Sequence, residues 1–202
     1  MPDVPGGVTN VETNWRAVHL FVAEEAHLDT LALEAGSVLA SSDDTRSLPW
    51  FFIRYTEGGP HLRLRVATAD DAVWTTIREA MARSCEALGA GRARDGWAQS
   101  VTHPAPTGEI YDPGDHAQIA YDPEIQRYGG LDALAIHEEL FTLSSDIALQ
   151  VIGRTAHNSS DRMGAAMQLM LDTLAGMMGA DADPRRGTYI TTAMPTSVPS
   201  RT

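Results

Sequence analysis

The sequence predicts an α+β domain of the ferredoxin-like kind. A split β-α-β-β-α-β order forms a four-stranded antiparallel sheet with helices on one face, and two additional C-terminal helices follow. Three observations point there. Short runs of β-branched and aromatic residues alternate with longer segments whose apolar residues recur at helical spacing. A Gly-Gly turn joins two of the short runs, as a hairpin requires. Apolar residues make up 43% of the 202 residues, enough to build one core.

The elements follow in chain order. Trp15–Val22 (WRAVHLFV) is short, aromatic and β-branched, which reads as a strand. Glu24–Ala40 opens on an acidic turn and carries Leu28, Leu31, Leu33, Ala35 and Leu39 as a helical stripe. Pro49–Tyr55 (PWFFIRY) is the second strand and Thr56–Pro60 (TEGGP) the turn. His61–Ala67 (HLRLRVA) alternates strictly with period two, the mark of a third strand. Asp70 opens a long helix that runs to Leu88, and Gly89 and Gly91 end it. Trp97–Val101 is the expected fourth strand, followed by a Pro- and Gly-rich stretch over Pro104–Gly130. Two helices follow, over Leu131–Arg154 and Asp161–Met178. The second has Met163, Met167, Met170 and Met178 along it, a pattern that belongs to a pliable core or to an interface, not to a metal box. Residues 1–14 read as a flexible leader, 15–179 as the domain, and 180–202 as a flexible tail rich in Thr, Ser and Pro.

Charge narrows the function. Acidic residues number 27 and basic residues 15, all of them Arg, for a formal charge of −12. Such a chain has no broad basic face for nucleic acid or for an anionic membrane. An anion must be held locally, by a few arginines. One cysteine, Cys85, allows neither an internal disulfide nor a cysteine-based zinc cluster, and its apolar helical setting reads as core. No segment is long and apolar enough to span a membrane, and the N-terminus lacks the form of a signal peptide, so the expected compartment is the cytoplasm.

Two clusters can carry chemistry. Alternation puts His61, Arg63 and Arg65 on one face of a strand, with the arginines about 7 Å apart. Two guanidinium forks at that spacing can each grip a carboxylate, or can simply form ion pairs on a solvated face. The second cluster, Tyr121-Asp122-Pro123-Glu124-Ile125-Gln126-Arg127-Tyr128-Gly129-Gly130, reads as a polar, aromatic loop at a helix entrance, functional or merely capping. No two of the seven histidines have the HExxH metal spacing, and no P-loop, nucleophile elbow or dinucleotide fingerprint is present. No metal and no cofactor are expected.

Taken together, PWFFIRYTEGGPHLRLRV (Pro49–Val66), YDPEIQRYGG (Tyr121–Gly130) and HEELFTLSSDIAL (His137–Leu149) closely resemble the small, glutamate-eliminating domain of lanthipeptide dehydratases, also called the thiopeptide-type bacteriocin biosynthesis domain. The resemblance covers roughly Trp15–Met178. It implies maturation of a ribosomally made precursor peptide. In that family a separate glutamyl-tRNA-dependent protein or domain glutamylates Ser and Thr. The small domain then eliminates glutamate and leaves dehydroamino acids. Diverged relatives instead join two dehydroalanines in an aza-[4+2] cycloaddition that forms the pyridine of thiopeptides. A non-catalytic partner that binds precursor peptide is the third possibility.

The family's strand arginines fall on Arg63 and Arg65 and its loop arginine on Arg127. Arg54, Tyr55, Glu124 and Tyr128 lie in the same motifs and are expected to contact substrate. Family members draw a functional histidine from further helix. No histidine here stands in that motif, and His61, beside the arginines, is the expected substitute. The expected partners are the precursor peptide, the glutamylating protein, and a second copy of this chain through the Met-rich helix.

Overall fold

A computed structural model describes residues 14–90, 110–155 and 158–177. These fall in two compact units, divided between 156 and 157. The first unit holds a four-stranded sheet. Its strands are β1 (Trp15–Phe21), β2 (Trp50–Tyr55), β3 (His61–Ala67) and β4 (His116–Gln118), in the order β2-β3-β1-β4 and antiparallel throughout. Helix α1 (Ala26–Ala40) and a four-residue turn of helix, α2 (Asp43–Arg46), lie between β1 and β2. Helix α3 (Asp71–Gly89) follows β3, and α4 (Leu131–Thr155) follows β4. The second unit contains α5 (Ser159–Met177), whose methionines and leucines recur at helical spacing as the sequence predicts.

Alternation along each strand sorts the side chains onto two faces. One face is apolar: Val18 and Leu20 of β1, Leu62, Leu64 and Val66 of β3, and Trp50 of β2 are buried beneath α1 and α3. α1 contributes Leu28, Leu31, Ala35 and Leu39 to this core, and α3 contributes Trp74, Ile77 and Met81. Cys85 of α3 is fully buried, as its apolar setting predicts. Its Sγ donates to the carbonyl oxygens of Phe21 at 3.3 Å and Asp115 at 3.4 Å, and burial pushes the thiol up to about 12.

Two contacts pin the rest. β2 is an edge strand, and α4 covers its rim: the Phe52 N–H donates to Ser145 Oγ at 3.1 Å. On the far side, backbone bonds Phe21 N→Asp115 O and Gly114 N→Phe21 O, each 2.9 Å, zip residues 114–118 onto β1. Gly89, at the end of α3, permits this, because a side chain there would collide with the Pro113 carbonyl oxygen.

The strand expected over 97–101 lies outside the described residues. The described fourth strand, His116–Gln118, sits in the stretch read from sequence as loop. It is three residues long and lacks β-branched residues, so only its partner β1 makes it a strand.

The two best-defined local features set two expected losses. Leu64 is wholly buried between sheet and helices, so Leu64→Ala is expected to lower the unfolding free energy by about 2–5 kcal/mol. The Asp70 carboxylate caps α3 by accepting from the Ala72 and Val73 N–H groups, so Asp70→Ala is expected to cost about 1 kcal/mol. Urea denaturation of the two variants measures both.

Candidate functional site

The opposite face of the sheet carries chemistry instead of leucine. Register places Ala17 opposite Arg65, His19 opposite Arg63 and Phe21 opposite His61 across β1 and β3. Across β2 and β3, Phe51 faces Arg65 and Tyr55 faces His61. Directly opposed residues share a face, so His19, His61, Arg63, Arg65, Phe51 and Tyr55 form one surface. Its floor is deep: Phe51 is fully buried, His61 is 1% exposed and His19 7%.

The two arginines are held differently. The Arg63 guanidinium lies 3.5 Å above the centre of the Tyr55 ring, and its Nε donates to His61 Nε2 at 3.0 Å. Arg65 sits between two rings, 5.2 Å from Phe51 and 4.7 Å from Tyr121. Its Nε is buried and has no hydrogen-bond partner. Among the described residues no carboxylate stands within ion-pair distance of either guanidinium. Burial pulls both below the usual arginine range, and the charge of Arg63 lowers Arg65 further. Arginine nonetheless stays protonated at ordinary pH. Two neighbouring cations thus sit on an aromatic floor without a carboxylate in direct contact, while Glu57 and Glu124 act on them from further off.

The imidazoles answer the same field in the opposite sense. His19 is lowered to about 3, first by burial and then by Arg63, and His61 to about 4, first by burial. Both are neutral at pH 7. They stack with ring centres 5.1 Å apart, which two imidazolium ions would not do in a buried place. His61 has both ring nitrogens engaged, with Nδ1 2.8 Å from the Gly59 carbonyl oxygen.

The loop motif closes one side of this face. The Tyr121 hydroxyl donates to Glu138 Oε1 at 2.9 Å, and burial raises the phenol's pKa. The Tyr128 ring packs 4.9 Å from His137 and 5.5 Å from Phe141, which in turn lies 5.2 Å from Phe51. The carboxylate of Glu124 is close enough to stabilise the charge on both Arg63 and Arg65. Glu124 adopts φ 45°, a left-handed backbone that is rare away from glycine and that the loop imposes. Arg127 Nη1 donates to both Glu124 oxygens, at 3.2 and 3.3 Å, and its side chain is largely exposed.

The expected site residues thus divide. His61, Arg63, Arg65 and Tyr55 share the floor, Glu124 and Tyr128 lie in the loop beside it, and Arg127 joins through Glu124. Arg54 does not join them. It faces the helix side of β2, where it pairs with Asp29 of α1. His19, Phe51 and Tyr121 belong to the surface although the sequence reading did not single them out as site residues. Alternation in WRAVHLFV carries the signal for His19, but only the pairing with β3 turns it into a neighbour of Arg63. Among the described residues no group of His, Cys, Asp or Glu could hold a metal ion, and no helix is long and apolar enough to cross a membrane.

The family is shown by its sequence profile. The sequence profile described as "Lantibiotic biosynthesis dehydratase C-term" matches residues 15–198. No curated protein matches the chain. Among solved structures, the tRNA-dependent lantibiotic dehydratase MibB from Microbispora sp. 107891 is similar at 25% identity and a TM-score of 0.50, over 79% of this chain and 13% of MibB. TsrL is similar at 21% identity and a TM-score of 0.51, over 75% of this chain and 38% of TsrL. TbtD, the pyridine synthase from thiomuracin biosynthesis, is similar at 16% identity and a TM-score of 0.50, over 72% of this chain and 49% of TbtD. The last two likenesses speak for fold alone. This chain spans less than half the length of each of the three.

The electrostatics of the floor have two measurable consequences. The histidines bind protons less readily folded than unfolded, so below the ordinary value of 6.5 the unfolded chain takes up protons that the folded chain excludes. Stability should therefore fall as pH drops from 6.5 through about 4 for His61 and on towards 3 for His19. Urea midpoints against pH should show a shallower fall in His19→Phe, which keeps a ring and removes the proton site. Arg65→Met should raise the unfolding free energy, on the order of 1 kcal/mol, because it replaces an unpaired, partly desolvated cation with an apolar chain of similar length.

Proposed function

The chain belongs to the lantibiotic biosynthesis dehydratase C-terminal family, and we propose that it eliminates glutamate from glutamylated Ser and Thr side chains of a ribosomally made precursor peptide. The products are dehydroalanine and dehydrobutyrine. The observation that carries this reading is the pair Arg63 and Arg65: two half-buried, permanently charged forks with no carboxylate in ion-pair contact among the described residues.

The reaction needs what such a pair supplies. A base removes the Cα proton of the esterified residue. The electron pair forms the Cα–Cβ double bond, the Cβ–O bond breaks, and glutamate leaves as a carboxylate. Charge develops on the peptide carbonyl next to Cα and on the departing oxygens. Preorganised guanidinium donors in a place poor in water stabilise both, and a planar fork matches a carboxylate with two hydrogen bonds. Glu124 acts on the cations electrostatically in the absence of substrate, while Arg127 already holds its carboxylate on the other side. The substrate comes from a glutamyl-tRNA-dependent glutamylating partner, in keeping with the dehydratase resemblance.

Pyridine formation by aza-[4+2] cycloaddition of two dehydroalanines is the second reading. The observation favouring it is the character of the floor: aromatic rings and two neutral imidazoles of low basicity, one of them with both nitrogens engaged. Incubating the protein separately with a glutamylated precursor and with a dehydrated precursor, followed by mass spectrometry, separates the two. Release of glutamate from the first supports elimination. Conversion of the second alone supports cycloaddition.

Under the elimination reading, Arg63→Ala should bind precursor and accumulate the glutamylated form. Its rate should fall by about 10²–10³-fold, corresponding to roughly 2–4 kcal/mol, as for loss of one donor to a developing oxyanion. Arg65→Lys should also be impaired, since lysine keeps the charge but loses the planar fork. Single-turnover assays by mass spectrometry measure both.

A further inference from the structure

The Gly-Gly turn, the histidine after it and the first strand arginine form one hydrogen-bonded chain. Gly59 carbonyl oxygen lies 2.8 Å from His61 Nδ1, and His61 Nε2 lies 3.0 Å from Arg63 Nε. A carbonyl only accepts, so Nδ1 must carry the proton. An arginine Nε–H only donates, so Nε2 must not. The geometry alone thus fixes both the tautomer and the charge of the ring.

We infer that His61 is a positioning residue, a neutral imidazole protonated at Nδ1 that transmits the backbone of the Gly-Gly turn to Arg63 and sets the angle of its guanidinium. The inference rests on the elimination reading only for its catalytic readout. Each link is constrained. Gly59 has φ 120° and Gly58 φ 78°, conformations that direct the carbonyl and that a side chain would strain. The turn itself is pinned, because the Val22 N–H donates to Pro60 O at 2.9 Å. The His61 ring is clamped by His19 at 5.1 Å, Phe21 at 4.6 Å and Tyr55 at 5.7 Å. Arg63 Nε is bound by His61, the guanidinium carbon lies over the Tyr55 ring, and a side-chain hydrogen bond to Tyr55 adds to the hold on Arg63.

Arg65 is built on the opposite plan. Its Nε–H is buried and unclaimed, and rings alone hold it. Arg63 is therefore the oriented fork, and Arg65 the one with an unsatisfied donor. His61 takes no proton from substrate in this scheme, since both of its nitrogens are spent on orientation. That changes the role expected of it from sequence, a substitute for the family's functional histidine.

Nitrogen-15 NMR of the full chain labelled at histidine tests the tautomer without any substrate. The expected His61 pattern at neutral pH is a protonated Nδ1 and a bare Nε2. A protonated Nε2 overturns the proposal. The Arg63 Nε–H should exchange slowly with solvent in the parent protein and rapidly in His61→Leu, and equal exchange in both overturns it too. Where glutamate release is observed, His61→Leu should lower kcat about tenfold or more with the KM for precursor little changed, as for loss of a hydrogen bond to a charged group. His61→Gln, which can place an acceptor near Arg63, should recover most of that loss. Adding His61→Leu to Arg63→Ala should cost nothing further. Independent, additive losses would place His61 in the chemistry itself and sink the positioning role. If the parent protein releases no glutamate, the elimination reading fails, while the tautomer and exchange measurements still decide this one.

Discussion

The antiparallel pairing of β1 with β3 governs the rest of the molecule. It sets Leu20 against Leu62 and Val18 against Leu64 on one face, and His19 against Arg63 and Phe21 against His61 on the other. A slip of one residue would turn the arginines into the apolar core and the leucines out of it. The cost of burying two guanidinium groups among leucines rules that out, so core and site specify one register together. The helices need only cover the apolar face, and the motif loop need only close one side of the other.

The second face is expensive to keep. Two arginines lose part of their hydration, and Arg65 Nε finds no protein acceptor. Two histidines give up protonation to sit beside them. Aromatic rings offset some of this, since Tyr55, Phe51 and Tyr121 present electron-rich faces to the cations. The remainder is the cost that the proposed anionic substrate would offset. A chain of formal charge −12 repels anions at long range, so under the proposed function the substrate would be recognised at short range, by fork geometry and by desolvation.

The motif loop brings a carboxylate towards the two cations. Glu124 sits near both cations while its carboxylate is already held by Arg127 from the solvent side. Its left-handed backbone is strained for a residue with a side chain, and such strain persists where the surroundings impose it. The aromatic line from Tyr128 through Phe141 to Phe51 ties this loop to the sheet. Loop position and the floor of the site are therefore mechanically linked through α4, which also guards the edge of β2 through Ser145.

Much of this was legible in the residues. Period-two alternation in HLRLRVA predicts that His61, Arg63 and Arg65 share a face, and helical spacing predicts α1, α3, α4 and α5, because both patterns are local properties of one segment. Tertiary structure decided what local patterns cannot reach. Parity along a single strand does not say which of its two faces meets the site, and so Arg54, sequence neighbour of Tyr55, went to Asp29 while His19 came to Arg63. A three-residue strand such as β4 has too little pattern of its own and exists through its partner. The tautomer of His61 depends on which acceptor and which donor the turn and the strand bring to its two nitrogens, and that is a matter of positions in space.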